Sequence, residues 1–154
     1  MDFFENKIEV RWSDCDPNKH VRHSAYYDYG AQNRIMFFTK IGFDIEAIER
    51  LNIGPILFKE ECTFLRELTM GDTVRINLKK GEISPDGGRW VLHHEIFNNR
   101  DQKCAHITVQ GAWMDLSARK LTLPPKEVVD AMERLESGQY YVHKSAKKTT
   151  STSQ

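Results

Sequence analysis

Residues Arg11 to Lys40 read RWSDCDPNKHVRHSAYYDYGAQNRIMFFTK, and what the rest of the chain must provide follows from this stretch. It opens on the end of a short alternating run, crosses a loop dense in aspartate and histidine, and enters an aromatic-rich helical pattern with almost no gap. Ser24 is a suitable N-cap for a helix reaching about Ile41, and Gly42 can take the left-handed conformation after its end. Tyr26, Tyr27, Ala31, Ile35, Met36, Phe37, Phe38 and Ile41 cover most of that helix, leaving a polar stripe through Asp28, Gln32 and Thr39. A helix apolar nearly all round is one that other elements wrap.

Upstream, Phe3 to Trp12 alternates, with Ile8 and Val10 opposed to Glu9 and Arg11 as in a half-buried strand, until Asp-Cys-Asp-Pro stops it. Downstream, Asp44 to Leu51 is a short amphipathic helix through Ile45, Ile48 and Leu51, ended by Gly54-Pro55. The period then becomes two. Ile56, Phe58, Cys62 and Phe64 share a face, and Gly71-Asp72 turns the chain into Val74, Ile76 and Leu78, which alternate with Arg75, Asn77 and Lys79. Two turn signals, Pro85-Asp86-Gly87-Gly88 and Asn98-Asn99-Arg100-Asp101, precede the strands Arg89 to Phe97 and Lys103 to Asp115. Pro124-Pro125 starts a last amphipathic helix through Val128, Val129, Met132 and Leu135. One strand, a long helix and four consecutive antiparallel strands predict an α+β domain over residues 1–137, a five-stranded antiparallel sheet curved around a central helix. Residues 138–154 read as a polar tail, disordered toward its end.

The chain of 154 residues is long enough for one core. Its 22 basic and 22 acidic side chains cancel, so no global field points to nucleic acid or an anionic membrane. Cys15, Cys62 and Cys104 are scattered and form no CxxC, which favours a reducing compartment over a disulfide framework. The first ten residues, MDFFENKIEV, carry acids where a signal peptide would be basic, and no apolar run reaches the ~18 residues of a membrane span. These features predict a soluble cytoplasmic protein.

Asp14-Cys15-Asp16-Pro17-Asn18 matches the opening of a calcium loop, D-x-D-x-N. The glycine position of that loop holds Lys19, however, and the position of its bidentate glutamate holds Ala25. No complete zinc motif frames Asp16, His20 and His23, and His93 and His94 point to opposite faces of one strand, so no metal site is expected.

The same loop resembles the hot-dog-fold acyl-CoA thioesterases of the 4-hydroxybenzoyl-CoA thioesterase type. Their signature reads approximately R-[FYW]-x-D-x-D-x-x-G-H-V-N-N-x-x-Y, and this chain matches it strongly at Arg11, Asp14, Asp16, His20, Val21 and Tyr26. A weaker match is Phe64-Leu65-Arg66 followed by Gly71-Asp72, and the resemblance spans about Lys7 to Leu123. It implies a hot-dog fold, hydrolysis of an acyl-CoA thioester to a free acid and coenzyme A without a cofactor, and a homodimer or homotetramer. It also implies that Asp16 is the catalytic carboxylate, with the helix beginning near His23 aiming backbone N–H groups at the substrate carbonyl. Lys19, Arg22 and His23 depart from the family's Gly and Asn-Asn, which bears on acyl specificity.

Elementary chemistry agrees with that assignment. A helix N-terminus carries orphan donors and partial positive charge, suited to the oxyanion formed when a thioester is attacked, and a nearby carboxylate can activate water or attack directly. The candidate residues are therefore Asp16 and His23 for catalysis, and His20, Arg22, Tyr26 and Glu60 for the substrate. Each has a plainer reading. Asp16 can be a turn former before Pro17, His20 a satisfied histidine, Tyr26 a core residue and Glu60 a paired carboxylate. Lys79, Lys80, Arg89 and Arg100 suit either the phosphates of coenzyme A or a solvated strand edge. Two other functions fit the sequence: an acyl-CoA-binding module without turnover, and a hot-dog enoyl-CoA hydratase or dehydratase.

Overall fold

In a computed structural model the described residues are 1–143; the end of the expected tail, residues 144–154, lies outside them. Strand β1 (Phe4–Glu9) leads through a 3-10 turn (Trp12–Asp14) to helix α1 (His23–Lys40) and a short α2 (Ile45–Leu51). Four long strands follow, β2 (Ile53–Phe64), β3 (Thr73–Ile83), β4 (Arg89–Phe97) and β5 (Lys103–Asp115), then a short β6 (Lys120–Thr122) and α3 (Lys126–Arg134). The sheet is antiparallel in the order β1-β3-β4-β5-β2, with β6 added on β5, so the five expected strands gain a short sixth. This is the hot-dog arrangement, a long helix laid on a curved antiparallel sheet.

The expected run of four consecutive neighbours holds for β3, β4 and β5 only. Strand β2 pairs with β5 at the edge opposite β1, and residues 65–72 cross between the two sides. That connection is anchored at both ends: Leu65 and Arg66 donate to the Cys104 carbonyl, and fully buried Leu68 accepts the Val21 N–H at 2.8 Å.

Other departures from the sequence expectation have local causes. Asn52 ends α2 in the left-handed conformation at φ 56°, so Gly54 and Pro55 are released into β2. A bulge between Leu57 and Lys59 breaks the alternation and turns Phe58 onto Arg89, with the guanidinium 5.2 Å from the ring centroid, while Glu60, Cys62 and Phe64 stand opposite buried Val109, Ile107 and Ala105. Helix α1 is not enclosed all round. Its buried stripe runs Ala25, Tyr26, Tyr29, Gly30, Asn33, Arg34, Phe37 and Phe38, and Ile35 and Met36 stay at the surface because one sheet covers one side of a helix.

Two polar residues of that stripe enter the core with partners. Asn33 donates to the Asn77 carbonyl at 2.9 Å and accepts from Asn6 at 2.7 Å, while Arg34 Nη1 lies 3.0 Å from His94 Nε2. Burial, then the Arg34 charge, push His94 down to about 3; burial, then His106, push His93 down to about 4. Both histidines are thus held neutral in the fold, whereas in the unfolded chain they take a proton near pH 6.5. The stability this gives is complete above pH 6.5 and is lost as pH falls toward the folded values, by a few kcal/mol at roughly 1.4 kcal/mol per unit per histidine. Glu60, raised by burial, acts in the opposite sense but is a single group. Urea midpoints measured in steps from pH 7 to 5, a window in which ordinary carboxylates stay ionised, are expected to fall steadily; a flat profile contradicts this account.

Candidate active site

The loop before α1 is a small hairpin. Arg22 N–H donates to the Asp14 carbonyl at 2.8 Å, Cys15 bridges Val21, and Asp16 N–H donates to the His20 carbonyl at 2.8 Å. Asp16 therefore stands two residue steps before the level of Arg22, roughly 7 Å of strand from the point where α1 begins. Its Oδ1 accepts the N–H groups of Asn18 at 2.9 Å and His20 at 3.3 Å, an Asx-type turn that fixes the carboxylate. Both of these bonds fall on Oδ1, and Oδ2 accepts none among the described residues. The turn closes through Lys19 at φ 66°. That is the left-handed conformation a glycine adopts freely, so the lysine bears the strain there.

Helix α1 starts at His23, and Ser24 lies inside its first turn instead of capping it. The N-cap is Arg22, whose side chain makes no capping hydrogen bond. The leading N–H groups at His23 and Ser24 thus receive no side-chain acceptor from the cap, which leaves the helix N-terminus able to meet an anionic oxygen. Arg22 instead binds the loop: Nη1 donates to the Ser13 carbonyl at 2.6 Å, and Nη2 lies 3.5 Å from Asp28.

Asp14 is the internal brace. It is 1% exposed and accepts Arg11 N–H and Nη2, both at 3.0 Å, and the Tyr29 hydroxyl at 2.9 Å. Burial alone would raise its carboxyl, but the hydrogen bonds from Arg11 and Tyr29 and the Arg11 charge outweigh it and hold Asp14 below its ordinary value. Tyr29, by burial and then by Asp14, is raised.

The structure brings Asp16, His20, Arg22 and the His23 backbone together on this hairpin and separates the other two candidates from it. His20 turns away to Glu67, 3.0 Å from Nε2. Tyr26 is 3% exposed, edge-on to Phe64 at 5.0 Å, and burial pushes its hydroxyl up to about 12. Glu60 lies on edge strand β2 facing α1, 3.8 Å from the Arg34 guanidinium, with Oε1 buried and without a hydrogen-bond partner among the described residues. Arg34 and Glu67 were not among the sequence candidates. The i, i+3, i+4, i+7 spacing of Tyr26, Tyr29, Gly30, Asn33, Arg34 and Phe37 was the signal that could have found Arg34; nothing local marks Glu67.

Fold and loop together define a hot-dog protein with a fixed carboxylate just ahead of an uncapped helix N-terminus. The chain belongs to the thioesterase-like superfamily, whose description it matches over residues 10–132. No curated protein matches the sequence. Among solved structures, a Staphylococcus aureus protein in complex with CoA superposes at TM-score 0.81 and 18% identity, covering 94% of this chain and 95% of that one. A 1,4-dihydroxy-2-naphthoyl-CoA thioesterase from Synechocystis gives TM-score 0.78 and 17% identity over 87% and 98% of the two chains. A DHNA-CoA thioesterase from Staphylococcus aureus gives 0.77 and 17% over 86% and 90%.

Proposed function

We propose that the protein hydrolyses an acyl-CoA thioester to a free acid and coenzyme A. The observation that carries this reading is the Asp16 carboxylate, fixed by two backbone N–H groups on a hairpin that runs directly into the uncapped N-terminus of α1. The His23 N–H and the helix dipole stabilise the oxyanion at the thioester carbon, while Asp16 either takes the proton of an attacking water or attacks that carbon itself. In the first case the C–S bond breaks, coenzyme A leaves as the thiolate and takes up a proton. In the second the C–S bond breaks as an Asp16 anhydride forms, coenzyme A leaves as the thiolate and takes up a proton, and water then cleaves the anhydride to the free acid and the Asp16 carboxylate. His20, tied to Glu67, and Arg22, tied to Ser13, hold the hairpin in place. Glu60 fits a role beside the acyl group better than Tyr26 does, since its Oε1 has the Arg34 charge 3.8 Å away but no hydrogen bond among the described residues, while Tyr26 is packed in the core.

A panel of short, long, aromatic and charged acyl-CoAs, read by thiol release, tests the reaction. Release from at least one of them is the expected result. Tight binding without release assigns an acyl-CoA-binding module, and hydration of an enoyl-CoA without release assigns a hydratase.

We further propose a homodimer or homotetramer joined through β2. That strand is a free sheet edge of 12 residues with Leu57, Phe58 and Phe64 about half exposed, and Ile35 and Met36 of α1 are exposed apolar residues as well. Light scattering is expected to give a multiple of 17.9 kDa; an active species at 17.9 kDa at micromolar concentration rejects the dimer. Among the described residues no helix is long and apolar enough to cross a membrane.

A further inference from the structure

An acyl-CoA substrate brings with it a pyrophosphate and a ribose 3′-phosphate, which call for cations within reach of the thioester. Three of the basic residues that suited those phosphates in the sequence have partners in the fold: Lys79 Nζ lies 2.8 Å from Glu95, Lys80 Nζ lies 3.2 Å from Glu133, and the Arg89 guanidinium covers the Phe58 ring at 5.2 Å. Two other cations, Lys19 and Arg66, are exposed beside the Asp16 hairpin, and among the described residues neither has a carboxylate within ion-pair distance. Lys19 and the Phe64-Leu65-Arg66 run both stood out in the sequence, and the proposed reaction uses neither.

The fold puts these two residues on adjoining arms. The crossover after β2 runs antiparallel to the second arm of the hairpin: Val21 N–H donates to the Leu68 carbonyl at 2.8 Å, Met70 N–H donates to the Lys19 carbonyl at 3.3 Å, and His20 bridges Thr69. Arg66 and His23 each stand two residues from the Val21–Leu68 bond in the same direction, so Arg66 comes alongside the start of α1, while Lys19 stands two residues away in the other direction, at the hairpin tip. The two levels are roughly 13 Å of strand apart. Asp16, level with His20 through its N–H bond to the His20 carbonyl, falls between them. Backbone bonds fix both cations and leave their side chains unused. Lys19 N–H donates to the Asp16 carbonyl at 3.0 Å, and the Leu65 and Arg66 N–H groups share the Cys104 carbonyl at 2.8 and 3.1 Å. The neighbouring carboxylates are engaged elsewhere: Glu67 with His20 Nε2 at 3.0 Å, Asp72 with the Thr69 N–H at 2.9 Å, and Asp16 Oδ1 with two backbone N–H groups. At φ 66° glycine would be the unstrained residue, so what a lysine adds at position 19 is its ammonium.

We propose that Lys19 and Arg66 bind the phosphates of coenzyme A on either side of the Asp16 level, and that through them the protein selects a nucleotide-bearing thioester over one carried on pantetheine or on the single phosphate of a phosphopantetheinyl carrier. The planar fork of Arg66 suits a bidentate grip on a phosphate, and Lys19 supplies a point charge. The position of the thioester rests on the thioesterase reading, whereas the phosphate contacts are open to a binding measurement alone.

The test is a calorimetric titration of the full chain with coenzyme A, phosphopantetheine and pantetheine. Coenzyme A is expected to bind about tenfold or more tightly than pantetheine, a preference that shrinks as salt is raised. In Lys19→Met and in Arg66→Met the preference should fall about threefold to tenfold each, and Arg66→Lys should keep part of it. Lys19→Gly, which relieves the left-handed backbone, should melt at or above the wild-type temperature and lose the same preference, so that loss of binding is told apart from loss of fold. With a hydrolysed acyl-CoA in hand, the ratio of KM for acyl-pantetheine to KM for acyl-CoA should fall in these variants, the change lying in KM instead of kcat. Equal affinity of the wild type for coenzyme A and pantetheine, phosphopantetheine binding as tightly as coenzyme A, or an undiminished preference in folded Lys19→Met and Arg66→Met overturns the proposal. Absence of thiol release from every acyl-CoA, with the preference present in the wild type and lost in the variants, overturns the thioesterase reading and leaves the phosphate contacts standing.

Discussion

Asp16→Asn is expected to lower kcat by about 10²–10⁴-fold, or roughly 3–5.5 kcal/mol of barrier at 1.36 kcal/mol per decade, if Asp16 acts as a general base. The substitution keeps the oxygen that accepts the Asn18 and His20 N–H groups, so the turn and the fold should survive with little change in melting temperature or in KM. A loss beyond 10⁴-fold, together with an acyl-enzyme trapped from the wild type, assigns the carboxylate as nucleophile. The control is Asp14→Asn. There the neutral amide weakens the Arg11 and Tyr29 contacts of a buried group, so stability should suffer more than rate. Should a folded Asp16→Asn protein turn over its best substrate within threefold of wild type, the assignment is wrong, and Glu60, whose Oε1 makes no hydrogen bond among the described residues, is the next residue to test.

Gly111→Ala is expected to destabilise the fold by about 3 kcal/mol or more, at the top of the range for overpacking. A Cβ at this position would fall under 3.0 Å from both the Ile56 carbonyl oxygen and the Trp90 ring. Neither can yield cheaply. Ile56 is fixed in the pairing of β2 with β5, and Trp90 is 2% exposed and packed on Trp113 with centroids 6.4 Å apart. Because β2 is the strand proposed to join two subunits, the variant should also shift the oligomer toward smaller species. Urea denaturation and light scattering of the same sample read both effects; a midpoint equal to wild type contradicts the close approach.

Much of this was legible in the sequence because it depends on local rules. Period-two alternation marked the strands, the Pro-Asp-Gly-Gly and Asn-Asn-Arg-Asp turns marked where β3, β4 and β5 reverse, and Asp-Pro followed by an aromatic helix marked the candidate loop. Three decisions belonged to the tertiary structure. Strand β2 pairs with β5 across a separation of some fifty residues, and local periodicity carries no information about partners so far apart. Arg34 and His94 are buried in contact with each other, a pairing that a reading of residues one at a time does not reveal. Lys19 keeps the turn expected of a glycine because the bonds of Asp16 and His20 around it enforce a left-handed backbone that its own preference would not choose.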